Sequence, residues 1–205
     1  MKKKRVDVVF LLDRSGSMAN CVADTIGGYN NYLKEQKESA NAVFVSTILF
    51  DHDYEVLHDC VPINKVNELT DKDYFVRGST ALYDAIGKTI LALDKKQLDN
   101  KVLFIITTDG FENASRSFHR EQVKELIEGH PNYEFIYVGA NIDSYAEAST
   151  IGIRYDHVAN YETNTKGVSK LFKSVAKATE KICSAQQLDD SWKDDLKEYD
   201  NKKTA

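Results

Sequence analysis

Two uninterrupted apolar runs, VVFLL at 8–12 and VLFII at 102–106, limit what this chain can fold into. Each has the length of a strand but lacks the apolar–polar alternation of a half-exposed one. Strands apolar on both faces belong in a mostly parallel sheet covered by helices on both sides. Both runs are far shorter than the roughly 18–20 apolar residues of a membrane span, so no membrane insertion is expected. Lys2-Lys3-Lys4-Arg5 ahead of the first run imitates a secretory leader, but Asp7 interrupts the run and Asp13-Arg14 ends it. It reads instead as a solvated lead-in to a buried first strand.

The remaining pattern alternates strands with helices. Helical spacing at Ile26, Tyr29 and Leu33 follows the first strand, with Gly27-Gly28 inside it, where close packing against the sheet is expected. A β-rich stretch at 42–50, the turn Asp51-His52-Asp53 and a partly alternating stretch at 54–61 predict an antiparallel hairpin whose second strand, closed by Pro62, is a sheet edge. Residues 63–80 read as loop with a short helical turn near 66–69. Helices are predicted near 81–97, around Val123–Ile127, at 144–149 and through Val168, Leu171, Phe172, Val175, Thr179 and Ile182. Strands are predicted at 101–107 and 133–138, and a weak one at 154–157. The expected fold is α/β, Rossmann-like and doubly wound, with one antiparallel edge strand and helices on both faces. Residues 1–186 are expected to form the domain. Residues 187–205 are expected to form an acidic extension, partly helical, with a frayed end.

A net charge of −5 with scattered lysines argues against a nucleic-acid partner. Cys21, Cys60 and Cys183 are odd in number, widely spaced and free of CxxC patterns, as expected of reduced thiols in a cytoplasmic protein.

Ligands of doubly wound sheets bind beyond the carboxyl ends of the strands. Oxygen-bearing side chains gather at three such places. Asp13, Ser15 and Ser17 alternate in the turn after the first strand, with Gly16 giving that turn its freedom. Asp109 follows the strand at 101–107, and Gly78-Ser79-Thr80 precedes a helix. Oxygen-only donors suit a hard divalent cation: Mg2+, or Mn2+ or Ca2+. Two carboxylates would neutralise it and the hydroxyls would leave it electrophilic, so a Glu or Asp from a partner protein would fit. DxSxS by itself is equally the composition of a turn and helix cap.

The segments VDVVFLLDRSGSM at 6–18, GSTALYDAIGKTI at 78–90 and VLFIITTDGFEN at 102–113 resemble, in order, the three parts of the metal-ion-dependent adhesion site of von Willebrand factor type A domains. The resemblance covers about residues 5–185. It implies that Ser15, Ser17 and Thr80 ligate the metal directly, and that Asp13 and Asp109 often act through water. It implies a module that captures an acidic side chain of a partner protein and is not an enzyme. With no paired cysteines flanking the domain, the chain is similar to stand-alone intracellular members of prokaryotic type. A place in a chelatase, AAA-ATPase-linked or stress-resistance assembly is the alternative.

Around the site, loops 18–22, 63–79 and 110–118 are expected to set specificity, with Arg14, Met18, Ser79, Gly110, Phe111 and Glu112 as partner contacts. Arg14 is expected as a solvated loop charge. Glu112 is expected either behind the metal ligands or capping the chain near Ser115. His119 and His130 are expected at the surface. A Mg2+-dependent phosphohydrolase is disfavoured. The position two residues after Asp13, where an acid–base aspartate would stand, is Ser15, and neither Lys88 nor Lys101 lies at a strand's carboxyl end. The GxSxG elbow and the Walker A pattern are both missing.

Overall fold

The computed structural model describes residues 5–39, 41–98 and 100–200; the lysines of the lead-in and the chain end expected to fray lie outside these. Six strands form one sheet: β1 (Val6–Asp13), β2 (Val43–Phe50), β3 (Tyr54–Pro62), β4 (Lys101–Thr108), β5 (Tyr133–Gly139) and β6 (Val158–Asn160). Their order is β3-β2-β1-β4-β5-β6, and every pairing is parallel except that of β2 with β3. The expected sheet and its antiparallel edge strand are both present.

Period-two alternation splits β1 between two cores. Val6, Val8, Phe10 and Leu12 face α1 (Val22–Glu38) and α5 (Thr165–Cys183). Val9 and Leu11 face α2 (Leu82–Asp94), α3 (Arg120–Glu128) and α4 (Ser144–Thr150). The two-sided apolar composition of β1 and β4 follows from this covering on both faces. Among the described residues, no helix is long and apolar enough to cross a membrane.

Three local expectations shift. The helical turn expected near 66–69 lies earlier, at Ile63–Lys65, while Val66 and Leu69 are buried anchors of the loop. The weak strand expected at 154–157 is a 3-10 turn at Tyr155–His157. The strand follows it because Val158, Ala159 and Asn160 pair with Tyr137, Val138 and Gly139. The Gly28 approach is to α5, not to the sheet: a Cβ there would lie 2.3 Å from the Phe172 ring.

Residues 187–200 pack on the domain. A 3-10 helix at Asp190–Leu196 and α6 (Lys197–Asp200) place Leu188, Trp192, Leu196 and Tyr199 in the core beside α5. The Trp192 indole donates to the Asp156 carbonyl at 2.9 Å, and buried Lys193 donates to the Val158 carbonyl at 2.6 Å. Asp200 accepts from the Asn160 amide at 3.0 Å, so this segment covers part of the β6 edge.

Candidate metal centre

β1 and β4 are neighbours, but the chain leaves them in opposite directions: from β1 through α1 to β2, and from β4 through α3 to β5. A crevice opens at such a reversal, beyond the strands' carboxyl ends. Asp13, the last residue of β1, lies there fully buried. Its Oδ1 accepts from the Ser15 amide at 2.7 Å and its Oδ2 from the Thr108 hydroxyl at 2.6 Å. The Tyr74 hydroxyl donates to its backbone carbonyl. Across the crevice, Asp109 accepts from the Ser17 hydroxyl, and the Ser15 and Ser17 oxygens lie 3.1 Å apart.

Thr80 arrives from the loop before α2. Its amide donates to Asn113 Oδ1 at 2.9 Å, and its carbonyl accepts from the Asn113 amide at 3.0 Å. The Gly16 amide donates to the Gly78 carbonyl at 3.2 Å, joining this loop to the one after β1. A Cβ on Gly110 would lie 3.1 Å from Thr80 Oγ1, 3.5 Å from Ser17 Oγ and 4.0 Å from Ser15 Oγ. Three hydroxyl oxygens from two separate loops therefore border one small space that glycine leaves open.

Electrostatics at this space are unbalanced. Burial pushes the Asp13 carboxyl up to about 6 against the lowering by Thr108 and Ser15, and neighbouring Asp109 pushes the same way. Burial also raises Asp109, with the Ser17 hydroxyl opposing. Among the described residues no ion pair reaches either carboxylate. Two adjacent buried carboxyls without a cationic partner disfavour each other's ionised forms, and a divalent cation relieves both. Aspartate and hydroxyl oxygens fit such a cation.

All five residues expected to hold metal converge, but the expected partner contacts divide. Ser79 is exposed, Gly110 half-buried, and Phe111 is 53% exposed. Arg14 is not a solvated charge. It is fully buried, with Nε on Asp51 at 3.0 Å and Nη1 on Glu55 at 2.7 Å, so it is not available to a partner. Met18 is core, 1% exposed, because the 3-10 helix Gly16–Cys21 turns it inward. Glu112 caps its own loop and α2, accepting from the Ser115 amide at 2.8 Å and the Tyr83 amide at 2.9 Å. Tyr74, Thr108 and Asn113 support the site, and none of the three is among the site residues expected from the sequence. Thr108 and Asn113 stand in the segment that carries Asp109, whereas nothing local marks Tyr74. His119 is exposed, and His130 bonds Asp94 at 2.8 Å.

No family profile and no curated protein matches the sequence. Solved structures do match in fold. Proximal thread matrix protein 1 of the mussel byssus, with zinc occupying its MIDAS motif, aligns over 84% of this chain and 45% of its own, at 16% identity and a TM-score of 0.64. The ArnB paralog VWA2 from Sulfolobus acidocaldarius covers 87% of this chain and 45% of its own, at 18% identity and a TM-score of 0.58. A von Willebrand factor type A protein from Catenulispora acidiphila covers 86% and 42%, at 13% identity and a TM-score of 0.59. The chain spans under half the length of each of these three. Its sheet order, the reversal between β1 and β4 and these likenesses give it the von Willebrand factor type A fold.

Proposed function

We propose that the chain is a metal-ion-dependent protein-binding module rather than an enzyme. Asp13, Ser15, Ser17, Thr80 and Asp109 would hold a divalent cation, with Mg2+ the first choice and Mn2+ or Ca2+ the alternatives. The observation that carries this reading is the convergence of the Ser15, Ser17 and Thr80 hydroxyls beside Gly110, next to two carboxyls that burial makes reluctant to ionise alone. The zinc-occupied site in the mussel protein, in the same fold, supports it. When bound, the cation supplies a Lewis-acidic position for one further anionic oxygen.

A Glu or Asp side chain of a partner protein has the chemistry to fill that position. The two carboxylates of this chain balance a divalent charge, and the hydroxyls add none. Exposed Ser17, Ser79 and Phe111 border the approach and would contact the partner.

Calorimetric titration of Mg2+ and Mn2+ into the full chain, beside an Asp13→Ala/Asp109→Ala variant, tests the reading. Saturable binding by the wild type and none by the variant is expected, with glutarate tightening the wild-type isotherm. Absence of binding at millimolar metal, with or without glutarate, rejects the site.

A further inference from the structure

Asp51, the residue after β2, is tied more heavily than a hairpin turn requires. Its fully buried side chain accepts from Arg14 Nε at 3.0 Å and Arg77 Nε at 2.7 Å through Oδ2, and from the Asp53 amide at 2.6 Å through Oδ1. Its backbone carbonyl accepts from the Ala81 amide at 2.8 Å, one residue past Thr80. Arg14 lies between Asp13 and Ser15; its amide donates to the Phe50 carbonyl at 2.8 Å and its carbonyl accepts from the Arg77 amide at 2.9 Å. Gly78, at φ +66°, turns the chain so tightly against His52 that a Cβ would lie 1.8 Å from Nδ1. One carboxylate thus joins the loop bearing Ser15 and Ser17 to the segment bearing Thr80.

Asp51, His52 and Asp53 bring ligand atoms within 4.8 Å of one another, a spacing that a cation can bridge. Two guanidinium groups already supply positive charge there, with Arg77 also reaching Asp53 at 3.1 Å. The cluster is better explained as an ionic tie than as a second cation site.

We propose that Asp51, through Arg14 and Arg77, is the positioning residue of the metal site: it sets the separation between the Thr80 hydroxyl and those of Ser15 and Ser17. This rests on the reading of those hydroxyls as ligands. Groups behind metal ligands typically change affinity by about 10–100-fold when removed. The ion's size distinguishes positioning from general damage. Mg2+ demands near-octahedral geometry, whereas Ca2+ accepts irregular and larger shells.

Arg77→Met is the first variant, because that side chain is 39% exposed and its loss leaves the buried Arg14–Asp51 pair in place. In metal-free protein, hydrogen exchange at the Ala81 amide is expected to quicken while exchange in β1 and β4 stays at wild-type rates. In titrations, Arg77→Met is expected to weaken Mg2+ binding about tenfold and Ca2+ binding less, and to add nothing in a Thr80→Ala background. Unchanged Ala81 exchange, equal losses for the two ions, or full additivity with Thr80→Ala each overturns the positioning role. A wild-type chain that binds neither ion overturns the metal reading and the positioning role with it; a wild type that binds normally beside an unaffected Arg77→Met overturns the positioning role alone.

Discussion

Asp13 sets the proposed metal binding against stability. Its carboxyl titrates at about 6 in the fold and near 3.8 when free of it. The metal-free fold therefore holds this proton more tightly than the unfolded chain does. The stability so gained is complete below about pH 3.8 and lost as pH rises through about 6. At pH 7.5, metal-free Asp13→Asn is expected to resist urea better than wild type by about 1–3 kcal/mol, since a tenfold change in proton affinity corresponds to about 1.4 kcal/mol. The same variant should no longer bind Mg2+. For the wild type, Mg2+ should raise the melting temperature clearly at pH 7.5 and little at pH 5, where protons compete for the carboxylate; an equal rise at both would remove Asp13 from the ligand set. Gly110 is a second residue on which the proposed metal binding turns. Gly110→Ala introduces a methyl 3.1 Å from Thr80 Oγ1 without backbone strain, because the glycine's φ lies outside the left-handed region. It should fold normally and bind Mg2+ more weakly, by about tenfold or more if one direct oxygen ligand is displaced, as read by calorimetry.

Two adjacent glycines of α1 separate packing from propensity. A Cβ at Gly28 would meet Phe172 of α5 at 2.3 Å, whereas Gly27 has no heavy atom within 4 Å of that position. Gly28→Ala should therefore cost about 1–3 kcal/mol through overpacking. Gly27→Ala should add about 0.5–1 kcal/mol by removing a flexible residue from a helix interior. Denaturant midpoints of the two variants should move in opposite directions, and parallel shifts would refute the assigned helix contact. The sequence shows that α1 tolerates two glycines but not which helix one of them touches, because periodicity marks a buried face without naming its neighbour. The same limit explains Arg14. Its position in a polar turn suggests solvent, but its partner Asp51 lies 37 residues away in the chain. β1, β4 and the hairpin were legible because composition alone decides them: two-sided apolar runs in the first two, and β-rich stretches around a short polar turn in the third. The oxygens of the candidate site were legible as a group because strand ends are where such folds expose ligand groups. Thr80 stands out less in composition, and its place beside Ser17 depends on a loop tied through Asn113 and Asp51.

The whole molecule includes its C-terminal segment, and its one tryptophan reports on that. Leu188, Trp192, Leu196 and Tyr199 follow one another at intervals of four, four and three residues, an apolar stripe of helical period set in an acidic, polar stretch. The stretch reads from its composition as an acidic, partly helical extension, which leaves open what it covers. In the structure these side chains close the core beside α5. Lys177 meets Asp195 at 2.7 Å and Lys170 meets Glu198 at 2.8 Å, with the latter pair nearer solvent. Surface pairs of this kind contribute little, so burial of the apolar stripe must dominate the docking. Trp192→Ala is then expected to destabilise the protein by about 3–5 kcal/mol, the usual cost of emptying a buried aromatic site. The intact chain should show blue-shifted tryptophan emission that moves red on unfolding. Its fluorescence and far-UV circular dichroism transitions in urea should coincide, because a segment contributing to the core unfolds with it. A fluorescence transition at clearly lower urea would show that the segment detaches first, making it an appendage to an independently stable sheet.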